Sequence, residues 1–248
     1  MSKTLESKVA VVTGGSNGIG RAVVQKLSKL GASVVYNYHS DREGGLALAE
    51  EIAGAGGSAT AVEADISQKS DVVALFDRAM ADYGRLDIVV NNAGIAIYKT
   101  IEEFSEEEID RIFAVNIKGV FYCCQQAARH MADNGSIINI GSTVTRVMLP
   151  RYSAYAASKA AVEQVSRVLA KELGGRGIRV NTLSPGPVDT DLFREGKSEE
   201  QVDDLAATAA LGRIGTVDDI ADMVALLVGD GARWVSGQTI LVNGGFAA

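Results

Sequence analysis

The sequence predicts a doubly wound α/β fold, in which helices cover both faces of a parallel sheet. Short apolar runs rich in β-branched residues alternate with helical stretches about six times along the 248 residues. Apolar residues at successive positions are typical of strands buried on both faces of a parallel sheet, and the alternation is typical of this fold class. No Pro-rich, Ser-rich or charged tract marks a linker. We therefore predict one domain over residues 1–248.

Seven strands and six helices are predicted in this alternation. The predicted strands are Lys8–Val12, Ser33–Tyr38, Ala59–Glu63, Leu86–Val90, Ser136–Ile140, Arg179–Leu183 and Thr239–Val242. The predicted helices are Arg21–Leu30, Glu43–Ala53, Asp71–Asp82, Glu106–Ala132, Ala154–Leu173 and Val217–Leu227. Sheets of this kind bind ligands at the carboxyl ends of their strands, so functional residues are expected where the strands end.

Composition and charge narrow the possible functions. The net charge of −7 and the scattered basic residues argue against nucleic-acid binding, which needs a concentrated basic face. No run approaches the roughly 18 apolar residues of a membrane span, and no apolar signal core is present, so we expect a cytoplasmic protein. Cys123 and Cys124 are adjacent in a predicted helix and are expected to be reduced packing residues. The two histidines, His39 and His130, lack metal-ligand spacing, so no metal is predicted.

A glycine-rich segment, VVTGGSNGIG at residues 11–20, follows the first strand and opens the first helix. Glycines allow positive φ and close approach of the backbone to a ligand, and a helix N-terminus binds phosphate. The spacing departs from G-x-G-x-x-G, because three residues separate Gly14 from Gly18 and one separates Gly18 from Gly20. Taken alone, the loop fits a dinucleotide site and a plain strand-to-helix turn about equally well.

Three further motifs lie at or near the predicted ligand edge of the sheet. NNAG at 91–94 follows the fourth strand, YAASK at 155–159 opens a long helix, and SPGPVDT at 184–190 ends the sixth strand. With the T-G-x-x-x-G-x-G loop, these motifs make the chain similar to the short-chain dehydrogenase/reductase family in its compact, one-domain form. The resemblance runs from about residue 7 to the C-terminus. It implies a Rossmann-type sheet and a nicotinamide cofactor.

Tyr155 and Lys159 lie four residues apart, so a helix places them on one face. A nearby ammonium favours the ionised form of a phenol, which makes Tyr155 our candidate general acid/base. The resemblance implies that Lys159 also binds the nicotinamide ribose, that Ser142 holds the substrate oxygen and that Asn116 belongs to a proton relay. Each residue alone has a structural explanation, but the match of all four favours catalysis.

The resemblance also assigns cofactor contacts. Implied for the phosphates are Gly14, Ser16, Asn17, Gly18, Ile19 and Gly20; for the adenosine, Asp65, Ile66, Asn91, Ala93 and Gly94; for the nicotinamide, Pro185, Gly186, Val188 and Thr190, with Tyr155 and Lys159. Relatives that prefer NAD carry Asp where this chain has Tyr38. Because Ser40, Arg42 and His39 follow, with Asn17 opposite, we expect NADP(H) to be preferred and NAD(H) to remain possible.

The implied activity is reversible reduction of a ketone to a secondary alcohol. The alternatives are an NAD-linked alcohol, sugar or steroid dehydrogenase, a 3-oxoacyl carrier-protein reductase, a nucleotide-sugar epimerase or dehydratase, and a non-catalytic nucleotide-binding protein. An epimerase is disfavoured by chain length and loop spacing, and a non-catalytic protein by the intact catalytic residues.

Two variable stretches, 143–152 and 191–212, are expected to bind substrate. Their mixture of apolar and basic residues fits an apolar carbonyl compound that can carry an acidic group. Carrier-protein reductases commonly have a basic residue in the turn before the fifth strand, where this chain has Asp133 and Asn134, so free carbonyl compounds are expected to be preferred. The helices Glu106–Ala132 and Ala154–Leu173 are expected to pair with symmetry mates in a homotetramer.

Overall fold

A computed structural model describes residues 4–247 and contains one parallel sheet of seven strands, in the order β3-β2-β1-β4-β5-β6-β7. The strands are β1 Val9–Val12, β2 Ser33–Tyr38, β3 Ser58–Glu63, β4 Ile88–Asn91, β5 Ser136–Ile140, β6 Arg179–Pro185 and β7 Thr239–Val242. The strand order reverses between β1 and β4, and a crevice forms at such a point in open α/β sheets. The predicted fold class is confirmed. Residues 1–3 and 248 of the predicted domain lie outside the described residues.

Helices connect successive strands. They are α1 Gly18–Lys29, α2 Arg42–Gly54, α3 Lys69–Tyr83, α4 Glu106–Phe113, α5 Val120–His130, α6 Ser153–Leu173, α7 Asp191–Arg194, α8 Glu199–Thr208 and α9 Val217–Val228. A π-helical segment, Ala114–Gly119, joins α4 to α5, and a short 3₁₀ turn, Thr143–Thr145, follows β5.

The structure corrects the predicted elements in two places. The predicted helix Glu106–Ala132 is divided by the π-helical segment, whose turns are wider than those of an α-helix. The 191–212 stretch, expected to be a substrate loop, contains α7 and α8, and α8 begins with a capping box between Ser198 and Gln201. The predicted starts of β1 and β4 at Lys8 and Leu86 fall just before the observed strands.

Two apolar layers, one on each face of the sheet, form the core. Neighbouring residues of β1 face opposite layers, with Val12 beside α1 and α9 and Val11 beside α3 and α5. Leu27 of α1 and Phe76 of α3 are fully buried in their respective layers. Strands with apolar residues at successive positions therefore contribute side chains to both layers, as the sequence predicts.

A buried polar chain joins the ends of the central strands to α6. Asn91 Nδ2 of β4 donates to Asn139 Oδ1 of β5 at 2.7 Å, and Asn139 Nδ2 donates to Ser166 Oγ of α6 at 2.8 Å. Thr182 Oγ1 of β6 donates to the same Ser166 oxygen at 2.8 Å. Hydrogen bonds of this kind fix a unique register when buried. They set the position of α6 relative to three strand ends.

The remaining composition-based expectations concern cysteines, membranes and metals. Cys123 and Cys124 are free and buried in α5, and burial raises the pKa of the Cys124 thiol to about 12. Within residues 4–247, no helix has the length and apolar character needed to cross a bilayer. The same residues contain no cluster of three or more His, Cys, Asp or Glu side chains suited to a metal ion.

Candidate active site

Two connected cavities lie at the carboxyl edge of the sheet. A long groove of about 850 Å³ runs along the glycine-rich loop and the ends of β2, β3 and β4. A smaller cavity of about 170 Å³ is lined by Ser142, Tyr155 and Lys159. Asn92 and Gly94 belong to the walls of both cavities. A ligand in the groove can therefore reach the predicted catalytic residues.

Hydrogen bonds and close packing hold the glycine-rich loop in shape. Gly14 N donates to Asn37 Oδ1 at 3.0 Å, and Asn92 Nδ2 donates to the carbonyls of Thr13 and Gly14 at 3.0 Å each. Gly14 has a φ of +66°, in the left-handed region. A Cβ on Gly20 would overlap the carbonyl oxygen of Gly14. The loop and the first turn of α1 therefore require glycine at both positions.

The N-terminus of α1 has the features of a phosphate site. Its N-cap, Asn17, makes no side-chain cap hydrogen bond, and the first turn carries no acidic residue. By contrast, Ser105, Ser198 and Thr216 cap α4, α8 and α9 with their hydroxyls. Gly18, with a φ of +51°, opens α1 in the wall of the groove. Uncapped N–H groups beside a groove fit the diphosphate of a dinucleotide.

The adenosine end of the groove is formed where β2 and β3 finish. Its wall includes Tyr38, His39, Ser40, Asp65 and Ile66, as the resemblance implies. His39 Nε2 lies 3.9 Å from Asp65 Oδ2. The predicted phosphate contacts Gly14, Ser16, Asn17, Gly18 and Ile19 line the same groove.

Charged residues after β2 are engaged outside the groove. Arg42 does not line the groove, since its guanidinium lies 3.6 Å from Glu63 Oε2 and its side chain is 73% exposed. Asp41 is in the wall, but its carboxylate accepts from Gly44 N at 2.9 Å and so caps α2. These contacts direct neither the Arg42 guanidinium nor the Asp41 carboxylate toward a ribose.

The NNAG motif contributes three of its residues to the groove. Ala93 and Gly94 line it as predicted, whereas Asn91 is the last residue of β4 and its side chain is used in the buried chain with Asn139. Asn92, which sequence reasoning did not select, takes the place expected for Asn91. Asn92 also supports the glycine-rich loop, so it links the two halves of the site.

The first two turns of α6 carry Tyr155 and Lys159. Lys159 Nζ lies 5.7 Å from the centre of the Tyr155 ring and donates to the carbonyl of Ile140, the last residue of β5, at 2.9 Å. Ser142 follows β5 and its Oγ accepts from Val144 N at 3.3 Å. Three groups predicted to act together are thus brought to one wall of the smaller cavity.

Burial shifts the pKa values of Tyr155 and Lys159 on α6. It raises the pKa of Tyr155 to about 12, although the Ser142 hydroxyl acts in the opposite direction. Burial also lowers the pKa of Lys159 to about 8. The expected acidification of the phenol by the ammonium is therefore outweighed by desolvation. A phenol with this pKa keeps its proton at neutral pH.

Asn116 lies in the π-helical segment, and its side chain is fully engaged with protein groups. Its Oδ1 accepts from Ile95 N at 2.9 Å, while its Nδ2 donates to Ile95 O at 2.9 Å and to Ser158 Oγ at 3.0 Å. A Cβ on Gly94 would lie 3.2 Å from Asn116 Oδ1 and 3.4 Å from Lys159 Nζ. The amide therefore sits behind the wall that carries Lys159, and it does not line either cavity.

A buried carboxylate on α6, absent from the sequence-based site, fastens the turn that carries Ser142. Thr145 Oγ1 lies 2.6 Å from Glu163 Oε1 and 3.1 Å from the carbonyl of Ser142. Glu163 is buried, and its other oxygen lies 3.5 Å from Arg167. The same helix thus positions Tyr155 and the turn after β5.

The walls of the smaller cavity are mostly apolar and aromatic. Pro185, Gly186, Val188 and Thr190, predicted beside the nicotinamide, lie in its lining. The two variable stretches supply Val144, Val147, Leu149, Tyr152, Leu192, Phe193 and Leu205. Tyr98 and Phe246 also line it, and sequence reasoning missed both. The Tyr98 ring centre lies 4.5 Å from that of Tyr152 and 6.4 Å from that of Tyr155.

Comparison with known proteins agrees with this geometry. A family model described as enoyl-(acyl carrier protein) reductase matches residues 14–247. A short-chain type dehydrogenase/reductase from Picea abies is 44% identical over 255 residues, covering 97% of this chain and 93% of that protein. The chain belongs to the short-chain dehydrogenase/reductase family. It is an NAD(P)-dependent oxidoreductase that acts on CH–OH or C=O groups.

Solved structures of the same family share the fold over their whole length. A short-chain dehydrogenase from Burkholderia cenocepacia, in complex with NADP, has a TM-score of 0.94 and 37% identity, covering 99% of this chain and 100% of that one. The angucycline C-6 ketoreductase LanV, with bound NADP, has a TM-score of 0.93 and 38% identity, covering 99% of this chain and 98% of that one.

We predict that Lys159→Met stabilises the protein in the absence of cofactor. Lys159 forms no ion pair with any carboxylate of residues 4–247, and the fall of its pKa from 10.5 to about 8 corresponds to a penalty of about 3 kcal/mol for the buried charge. Thermal unfolding at pH 7 should therefore show a higher Tm for the variant.

The pH dependence of the unfolding temperature tests whether the buried charge of Lys159 causes this difference. Between about pH 8 and pH 10.5 the unfolded chain binds more protons than the folded one, so wild-type stability rises and the gap to the variant narrows. Lys171→Met, at an exposed position of α6, is the matched control and should leave Tm nearly unchanged. A lower Tm for Lys159→Met at pH 7 would refute the account.

Proposed function

We propose that this protein reduces a ketone to a secondary alcohol with NADP(H), reversibly, and that Tyr155 is the general acid/base. The observation that carries the proposal is the placement of Ser142, Tyr155 and Lys159 on one wall of an apolar cavity that opens into a dinucleotide-sized groove. We also propose that residues 1–248 form one dinucleotide-binding and catalytic domain, with substrate contacts from 143–152 and 191–212.

The glycine-rich loop, the N-terminus of α1 and Lys159 would hold the cofactor, which supplies the hydride when bound. Ser142 donates a hydrogen bond to the carbonyl oxygen, and Tyr155 transfers its hydroxyl proton to that oxygen as the alcohol forms. Lys159 uses one N–H for the Ile140 carbonyl, so its other N–H groups are free to bind a ribose hydroxyl. The resemblance assigns Asn116 to the proton relay, and here its side chain bonds to Ile95 and Ser158 behind the wall that carries Lys159.

Tyr155→Phe should lower kcat by about 10² to 10⁴ while leaving cofactor affinity within about twofold, because only the proton donor is removed. Steady-state reduction of a ketone panel and fluorescence titration with NADPH measure the two effects. Tyr83→Phe is the matched control, since its hydroxyl bonds to Ser58 on the protein surface, and it should keep wild-type turnover. Near-normal turnover of Tyr155→Phe would rule out the assigned role.

The preference for NADP(H) is supported by the end of β2. Tyr38 occupies the last strand position, His39 and Ser40 lie in the groove wall, and the Asp41 carboxylate is used to cap α2. A carboxylate at this place binds the ribose diol of NAD and repels the extra phosphate of NADP. Arg42 adds no direct support, since it pairs with Glu63.

Kinetics with both cofactors test this preference. We expect kcat/KM to be higher with NADPH than with NADH, and Ser40→Asp to lower the NADPH value by about tenfold or more through charge repulsion. The NADH value should change little, and Ser40→Ala serves as the control for loss of the hydroxyl. A wild-type kcat/KM that is higher with NADH would overturn the proposal.

A carrier-bound acyl substrate is the second candidate, favoured by the description of the matching family model. Docking of an acidic carrier protein needs free cations near the cavity mouth. Arg176, the one compensating cation suggested by the sequence, donates to Asp133 Oδ1 at 2.9 Å and to the carbonyl of Ala128 at 2.7 Å. The one charge that the sequence offered for carrier docking is therefore engaged, and we propose free small or medium carbonyl compounds as the preferred substrates. The cytoplasmic location stays a prediction.

We further propose a homotetramer that uses two different apolar faces. Phe121 of α5 and Val168 of α6 are 47% and 49% exposed on the helices predicted to pair. Trp234, which precedes the edge strand β7, is 98% exposed. Closed tetramers with twofold symmetry commonly combine two interfaces, so each face can contact a second copy.

Light scattering at micromolar concentration should give a tetramer for the wild type and a dimer for Trp234→Glu, because the charge disrupts one interface only. Ile101→Glu, at an exposed apolar residue outside α5, α6 and β7, is the control and should remain tetrameric. A monomeric wild type, or a tetrameric Trp234→Glu, would contradict this arrangement.

A further inference from the structure

A third cavity adjoins the substrate cavity and shares Glu195 with the wall of the groove. It measures about 630 Å³ and shares Tyr98, Tyr152 and Leu205 with the substrate cavity. Its remaining wall includes the charged residues Arg151, Glu195, Lys197 and Asp204. A substrate with its carbonyl at Tyr155 can therefore extend past Tyr98 into a charged chamber.

Lys197 places its ammonium group over the shared wall. Its Nζ lies 4.9 Å from the centre of the Tyr98 ring and 5.0 Å from that of Phe193, and it donates to the Phe193 carbonyl at 2.7 Å. Within residues 4–247 it forms no ion pair, and burial lowers its pKa, although Glu195 acts in the opposite direction. Two aromatic faces and one carbonyl contact the Lys197 ammonium, and no carboxylate of residues 4–247 lies within ion-pair distance of it.

Arg151 reaches the same wall from the other side of the cavity. Its Nη2 donates to the carbonyl of Tyr98 at 2.9 Å, and its own carbonyl accepts from Lys99 N at 3.1 Å. Arg151 has a φ of +72°, a conformation that is strained for a residue with a side chain. The strained backbone and the two hydrogen bonds fix the guanidinium beside Tyr98, again without an ion pair in the described part of the chain.

We propose that Arg151 and Lys197 form a subsite for a carboxylate on the ketone substrate, an inference that rests on the proposed reduction. Both cations contact Tyr98, whereas the carboxylates of Glu195 and Asp204 make no contact with either cation within ion-pair distance. A guanidinium and an ammonium with free N–H groups bind a carboxylate through charge-assisted hydrogen bonds.

Distances limit the length of this substrate. The Lys197 ammonium is 4.9 Å from the Tyr98 ring centre, which is 6.4 Å from the Tyr155 ring centre, so the ammonium is at most about 11 Å, the sum of the two, from Tyr155. This upper bound admits a short or medium carbon chain between the reacting carbonyl and the carboxylate. The preferred substrates are therefore short or medium oxo acids with an apolar body.

A matched pair of substrates tests the subsite. We expect kcat/KM for 5-oxohexanoate to exceed that for its methyl ester by about tenfold or more at low salt, and the advantage to shrink as salt rises. Lys197→Met and Arg151→Gln should each lower kcat/KM for the acid more than for the ester, and so reduce the advantage to about twofold or less. Lys171→Met, a charge removal far from the cavity, should leave the advantage intact.

Binding without turnover separates this inference from the proposed reaction. Hexanoate, which has no ketone, should bind to the protein with NADP⁺ more tightly than methyl hexanoate in calorimetry, and Lys197→Met should abolish the difference. If neither oxo compound is reduced but hexanoate binds in this way, the reduction fails and the anion subsite stands. Equal or weaker binding and turnover of the acids in the wild type, or an advantage that survives both variants, would overturn the subsite.

Discussion

The buried ammonium of Lys159 is the constraint on which the rest of the site depends. It donates to the Ile140 carbonyl at the end of β5 and has no carboxylate partner within residues 4–247. An unpaired buried charge is unfavourable, and the lowered pKa of Lys159 reflects that penalty. The surrounding fold must therefore hold the charge in place at the expense of stability, as is common where a site is built for a ligand that completes it.

The long helix α6 provides this support and arranges the neighbouring groups. Ser158 bonds to Asn116 in the π-helical segment, Glu163 holds the turn that contains Ser142, and Ser166 joins the strands β5 and β6. These residues recur at helical spacing along the buried side of α6. A single helix thus sets the positions of Tyr155, Lys159 and Ser142 relative to the strand ends.

The features of the fold that depend on burial and close packing could be predicted from the sequence. Strands apolar at every position implied two covered faces, and the spacing of Tyr155 and Lys159 placed both on one helix face, whereas Ser142 came from the family resemblance alone. Asn91, which the resemblance assigns to the adenosine, is the last residue of β4, and its side chain bonds to Asn139. Tyr98 lies in a segment without helix or strand, so no helical or strand pattern in the sequence predicts which cavity its side chain lines. Ionisation also required the structure, because the degree of burial decides the direction of each pKa shift.

The most direct test of this account is the pKa of Lys159 in the cofactor-free protein. Lysine-labelled protein can be titrated by NMR from about pH 6 to about pH 11, with the spectrum of Lys159→Met assigning the resonance. A buried ammonium held by one carbonyl predicts a midpoint near pH 8. A midpoint near the ordinary lysine value of about 10.4 would show that the charge is solvated or paired, and would contradict the arrangement from which the site is derived.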